Sequence, residues 1–241
     1  MHVSLLVFLC EGGEEMIKVE CQGSFIECIY RLARNLLTVR RQLMLLICFT
    51  WATFSLGDES PQLMVLGVAQ DAGYPQIDCF EARCIPLWES APMQSGASSL
   101  ALVTEDSRVL LFDAAPELPQ QLYTLWQATG TRVADISGIF LTHAHMGHYL
   151  GLAYLGKEAI SADRVPVYVM PRFKQFLKTN GPWSQLVLEQ NIVLETLTNN
   201  RSVVVAGVQV KPLQVPHRDE YSETVGFLID AGQRILYLPD I

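Results

Sequence analysis

Three imidazoles fall within six residues in His143-Ala-His145-Met-Gly-His148, directly after the apolar run Ile139-Phe140-Leu141. This cluster constrains the fold more than any other part of the chain. An apolar run of that kind reads as a buried strand, and the segment that follows a strand lies at a sheet edge. Histidines two positions apart at such an edge can turn toward one point outside the sheet. The chain has five histidines, and three of them are here. A fourth, His217, follows another apolar segment, Leu213–Val215. Neutral imidazole is the commonest side-chain metal ligand. A polar loop with chance histidines is the bland alternative, but chance rarely concentrates so scarce a residue type.

With 241 residues, half of them hydrophobic, the chain can bury a sizeable core in one or two domains. The net charge is −8 and there is no basic block, so a nucleic-acid-binding surface is not indicated. Residues 1–57 sum to zero: Lys18, Arg31, Arg34, Arg40 and Arg41 balance Glu11, Glu14, Glu15, Glu20 and Glu27. Within this stretch Arg40-Arg41 precede an apolar run, Leu43–Leu56, that ends in Ser55-Leu56-Gly57. Basic residues, an apolar run and a small-residue site form a signal-peptide-like segment at about 39–57. Three readings stay open: a signal peptide behind a start assigned too far upstream, a membrane anchor left uncleaved, or a buried helix. The first reading places the protein outside the cytoplasm, periplasmic or secreted. Residues 1–57 are therefore expected to be an extension, and 58–241 the folded domain.

Along that domain, Leu63–Ala69, Ser98–Val103, Arg108–Asp113, Ile136–Leu141, Val165–Val169, Asn191–Leu197, Ser202–Val210, Leu213–Val215, Thr224–Ile229 and Arg234–Leu238 read as strands. Thr104-Glu-Asp-Ser107 reads as a hairpin turn. Helical patterns cover Pro116–Gln127, with Leu118, Leu122, Leu125 and Trp126 on one face, then Tyr149–Ile160 and a helix starting at Pro171. Interleaved strands and helices, with strands in excess, predict an α/β (α+β) architecture of sheets covered by helices. Cys79 and Cys84 form a C-x₄-C pair in a loop, open to a disulfide, free thiols or a metal.

The order of these motifs resembles the metallo-β-lactamase superfamily. Its hallmark is His-x-His-x-Asp-His after a strand, then a distant His, an Asp at a strand end, and a last His. The hallmark loop maps onto His143, His145 and His148, the distant His onto His217, and the strand-end Asp onto Asp240 in Ile235-Leu-Tyr-Leu-Pro-Asp240. Val65-Leu-Gly-Val-Ala-Gln-Asp-Ala-Gly-Tyr-Pro-Gln76, Ser98–Leu102 and Phe112–Leu118 narrow the resemblance to the branch of coenzyme PQQ synthesis protein B. The resemblance implies an αββα sandwich with metal at one edge. It departs at Gly147, where the superfamily has aspartate, and the chain stops at Ile241 before the last His, which reads as a C-terminal truncation. Gly147 is expected to let the loop bend tightly.

The resemblance makes His143, His145, His148, His217 and Asp240 the expected metal ligands. It implies one firm zinc site, a second that is weak or absent, and iron or manganese as substitutes. Asp240, His148 and Asp113 are the expected catalytic residues. Asp240 would bridge or orient the nucleophile, and Asp113 would hold a ligand imidazole in its tautomer. A turn or helix-cap role for Asp113 before Pro116 stays equally open. The implied activity is hydrolysis of a small-molecule ester, phosphodiester or similar substrate by a metal-bound hydroxide. An iron-dependent oxidoreductase of cofactor synthesis and a non-catalytic domain that binds metal or a partner are the alternatives.

Overall fold

The computed structural model describes residues 60–241 apart from 91–94 and 219. The signal-peptide-like segment and the rest of 1–57 lie outside the described residues. β1 (Gln62–Gly67), β2 (Ser99–Val103), β3 (Val109–Phe112), β4 (Ile136–Phe140), β5 (Val165–Val169) and β6 (Ile192–Thr196) form one sheet in sequence order. β1 to β3 pair antiparallel, and β3 to β6 parallel. β7 (Val203–Val205), β8 (Val208–Gln214), β9 (Val225–Asp230) and β10 (Arg234–Tyr237) form an antiparallel meander.

β2, β3 and β4 are buried at every position, and the two faces of these strands show why. Leu100, Leu102, Leu110, Phe112 and Phe140 join Val208, Val210, Val225, Phe227 and Ile229 in a core between the two sheets. Their neighbours Ala101, Val103, Val109, Leu111 and Ile139 point the other way, into a core shared with the helices. A strand covered on both faces has no polar side, so its sequence is a continuous apolar run. Each large side chain so buried contributes about 1.5–3 kcal/mol.

The helical layer is built from α2 (Leu118–Thr129), α3 (Met146–Tyr149), α4 (Pro171–Thr179) and α5 (Trp183–Leu188), with a short α1 (Ile85–Glu89) ahead of them. Leu118, Leu125, Tyr149, Phe173, Leu177, Trp183 and Leu186 are their buried contributions to the helix-facing core. Two facing sheets with flanking helices are the α+β architecture that the sequence implies.

Several local expectations need correction. Tyr149–Ile160 is not one helix: a 3₁₀ segment occupies Leu150–Leu155. A Cβ on Gly151 would meet the Ala115 carbonyl oxygen at 2.2 Å, so this segment packs backbone against backbone. Ser202–Val210 is two strands, because Ala206 and Gly207 both take positive φ (46° and 77°) and reverse the chain. Leu213–Val215 is not a separate strand, since β8 runs through Pro212 to Gln214. α2 turns Leu118, Gln121 and Leu125 inward and leaves Trp126 44% exposed. Of the three states left open for Cys79 and Cys84, the structure has the disulfide.

The topology brings four strand ends to one rim. β3 and β4 run parallel with Phe112 paired to Phe140, so the residues after them, Asp113 and Leu141–His148, are neighbours. β8 and β10 both run antiparallel to β9, so His217 and Asp240 leave the second sheet on a common side. The Val225 N–H donates to the Thr142 carbonyl at 3.1 Å and ties the two rims together.

Candidate metal centre

His143 Nε2, His145 Nδ1, His217 Nε2 and Asp240 Oδ2 converge at this rim. His145 Nδ1 lies 2.9 Å from His143 Nε2 and 3.3 Å from His217 Nε2. Asp240 Oδ2 lies 3.3 Å from His143 Nε2 and 3.4 Å from His217 Nε2. All four ligand atoms fall within 4.8 Å of one another. Ligands 2.0–2.2 Å from a tetrahedral zinc lie about 3.3 Å apart, so the separations fit a single ion. His148, also expected as a ligand, sits outside this group. Its Nε2 is 3.6 Å from Asp240 Oδ2.

The nitrogen that each hallmark histidine turns away from the centre is already engaged. The Thr142 N–H and hydroxyl donate to Asp113 Oδ1 at 2.8 and 2.9 Å. A hydroxyl has one proton; with it committed to Asp113, Thr142 Oγ1 accepts from His143 Nδ1–H at 3.0 Å. His148 Nδ1–H donates to Asp113 Oδ2 at 2.8 Å. His145 Nε2–H donates to Glu220 Oε2 at 3.1 Å. For His143 and His145 these bonds leave a lone pair on Nε2 and Nδ1 respectively, which is the tautomer that ligation needs.

Asp113 is fully buried, and the Tyr237 hydroxyl also donates to its Oδ2, at 2.9 Å. Its side-chain bonds go to Thr142, His148 and Tyr237, and α2 begins without a side-chain cap. Of the two roles open in the sequence, the geometry therefore favours holding an imidazole. Thr142, Tyr237 and Glu220 were not singled out in the sequence. Adjacency to His143 was the one available signal for Thr142, and nothing local marks the other two. Beneath the site lies an aromatic floor, with Phe112 stacked on Phe140 at 5.2 Å and 6.0 Å from Tyr237.

The electrostatics separate the histidines. Burial, then the neighbouring His148 and His145, push His143 down to about 3, so it stays a neutral ligand. Burial disfavours charge on His148 too, yet Asp113 and then Asp240 outweigh it and raise its pKa to about 10. Asp240 is lowered to about 2, chiefly by the His148 contact. Burial, then Asp113, raises Tyr237 well above the ordinary phenol range.

Gly147 has a different reason from the one expected. It is not among the glycines with positive φ. A Cβ there would lie 1.9 Å from the Asp71 carbonyl oxygen and 2.9 Å from its carbon, so the 70–73 loop leaves room only for glycine. Gly147→Ala is expected to cost about 1–3 kcal/mol by overpacking. It should also weaken metal binding, because the displaced loop abuts the turn that carries His148. Thermal denaturation and metal titration check both effects.

Residues 108–241, more than half of the chain, match the Beta-lactamase superfamily domain. The coenzyme PQQ synthesis protein B of Xanthomonas oryzae pv. oryzae is 27% identical over 201 residues, covering 74% of this chain and 64% of that protein. A zinc-bound PqqB from Methylobacterium extorquens superposes with a TM-score of 0.60 at 26% identity, over 73% of this chain and 62% of that one. A diphosphatase of the PhnP family, at 22% identity and a TM-score of 0.53, shares the fold. The chain thus spans under two thirds of the length of each of these three proteins. A metallo-β-lactamase-type fold with a His₃Asp cluster at its rim, and a family match over that same region, make this chain a member of the beta-lactamase superfamily that resembles PqqB-like proteins.

Proposed function

We propose that the protein is a metal-dependent hydrolase of a small ester, phosphodiester or lactam. The observation that carries this reading is the convergence of three imidazole nitrogens and one carboxylate oxygen at tetrahedral spacing. A divalent metal held there supplies Lewis acidity and acidifies water to near neutral pH. The chain's own residues do the rest. His143, His145 and His217 hold the ion as neutral donors. Asp240, 16% exposed, is placed to orient the attacking water and take its proton. Behind it, buried His148 and Asp113 and half-buried Tyr237 form a run that fixes the Asp240 side of the site. Chromogenic esters, phosphodiesters and β-lactams assayed with and without chelator test the reading. Turnover of one class that chelation abolishes by at least about 100-fold (about 2.7 kcal/mol of activation free energy) supports it. A folded, metal-replete chain inert to all three counts against it.

A second reading is an iron-dependent oxidoreductase of cofactor synthesis. It is favoured by relatives named for coenzyme PQQ synthesis and by a nitrogen/oxygen ligand set that accepts iron. Substrate-dependent oxygen uptake by the iron-loaded chain, absent with zinc, distinguishes it.

We also propose export, supported by the Cys79–Cys84 disulfide and the basic-then-apolar segment 39–57. In cells, Cys79 and Cys84 are then expected to resist maleimide labelling until reductant is added. Immediate labelling of both would contradict export.

A further inference from the structure

We propose that the cavity beside the first turn of α2 is a binding site for an organic ammonium ion, with Glu117 and Gln121 as the acceptors for its charged end. Its lining shares no residue with the His143, His145, His217 and Asp240 cluster, and the site does not depend on the metal-dependent reading.

The cavity has a volume of about 660 Å³, inside the range of about 300–1,000 Å³ usual for small-molecule sites. Leu66, Tyr74, Ile77 and Trp88 supply an apolar and aromatic wall, and Glu117 and Gln121 supply a polar end. The lining holds one carboxylate and no cationic side chain.

One buried residue orients both acceptors. Glu117 Oε2 accepts from the Ala97 N–H at 3.3 Å, and Gln121 Nε2 donates to the Ala97 carbonyl at 3.2 Å. Glu117 precedes α2 and Gln121 lies one turn further on, so the two side chains stand on the same face. Each keeps one oxygen uncommitted. Gln121 is 3% exposed, and its Oε1 accepts no hydrogen bond among the described residues. Turning the amide over would set that oxygen against the Ala97 carbonyl, so its orientation is fixed. Glu117 Oε1 lies against the bare backbone of Gly73, where a Cβ would come 2.7 Å from it. A buried acceptor left without a donor is unfavourable, and a ligand N–H would relieve it.

The aromatic wall is held as firmly. Trp88 Nε1–H donates to the Cys79 carbonyl at 2.8 Å, across the loop that the Cys79–Cys84 disulfide closes. Tyr74 exchanges backbone bonds of 2.7 and 2.8 Å with Ser95. Both rings keep 43% of their residue surface exposed. Ring faces attract cations, and a carboxylate forms its strongest hydrogen bonds with charged donors. Acceptors without a competing cation, beside aromatic and apolar surface, therefore select a positively charged donor with an apolar body.

The test is calorimetric titration of the full chain with phenethylammonium and with its neutral isostere phenethyl alcohol, repeated on Glu117→Gln. Glutamine can still accept from the Ala97 N–H and removes the charge, and an unchanged Tm establishes that the fold survives. The expected result is saturable binding of the ammonium, at least about 10-fold tighter than the alcohol, as a hydrogen bond to a charged group should give. Glu117→Gln is expected to lose that preference. No saturable binding of the ammonium by the folded parent would overturn the site. Equal affinity for the two probes would overturn its assignment to a cation. A preference that survives in Glu117→Gln would put the ammonium elsewhere on this acidic chain and overturn the role given to Glu117.

Discussion

Replacing Asp113 with alanine is expected to cost the metal-free chain about 3–5 kcal/mol, the usual penalty for removing one partner of a buried charge pair. For a domain of this size that lowers Tm by about 10 °C. Asp113 is fully buried and accepts from the Thr142 N–H, the Thr142 hydroxyl, His148 Nδ1–H and the Tyr237 hydroxyl. Alanine strands all four donors without water to replace the lost acceptor. It also sits poorly at the φ of 65° that Asp113 adopts. Asp113→Asn separates structure from ligation. Asparagine tolerates that φ and still accepts from Thr142 through one oxygen. Its NH₂ group faces His148 and Tyr237, however, and would drive His148 to carry its proton on Nε2, facing Asp240 Oδ2 and competing with the ion for that ligand atom. The expected outcome is a smaller loss of Tm together with a metal affinity reduced about 10–100-fold, the range seen when such outer partners are altered. Equal metal Kd values for Asp113→Asn and the parent would show that Asp113 serves the fold alone.

Most of the site was legible because ligation leaves a local signature. His143, His145 and His148 are close in sequence for the same reason that they are close in space: they occupy one turn after β4. His217 was legible as a polar residue after an apolar segment and Asp240 only through the resemblance to the superfamily's strand-end aspartate, and the fold brings both to the same rim. Asp113 could not be assigned from sequence, since a carboxylate before a proline serves a cap as readily as an imidazole; its side-chain partners favour the latter. Glu220 lies 75 residues from the His145 ring that it holds, and no periodicity reports such a pairing. Gly147 misled for a related reason. A glycine signals either a backbone conformation or a close approach, and only the Asp71 carbonyl beside it shows which.

The fold followed the same pattern. Continuous apolar runs identified β2, β3 and β4, because strands buried on both faces have no other composition. The hairpin at Thr104–Ser107 was equally plain, and Thr104 and Arg108 close it through a backbone bond of 2.9 Å. The break at Ala206-Gly207 was missed because valines on both sides made one long β-type run. The 3₁₀ segment at Leu150–Leu155 was read as helix because its apolar spacing is helical. Backbone packing of Gly151 against Ala115 is a tertiary constraint that spacing does not carry.

The central claim is that His143, His145, His217 and Asp240 hold a metal ion. Two of the four donors are removed in His143→Ala/His145→Ala, and the two that remain, His217 and Asp240, are too few for a tight site. The most direct measurement is bound metal per chain for the parent and this double variant, after equilibration with zinc or iron and removal of free ion. The account predicts at least one tightly held equivalent in the parent, and its loss from the first site in the double variant, with both proteins folded by circular dichroism. A folded parent that retains no metal, or a double variant that retains as much as the parent at equal affinity, would contradict it.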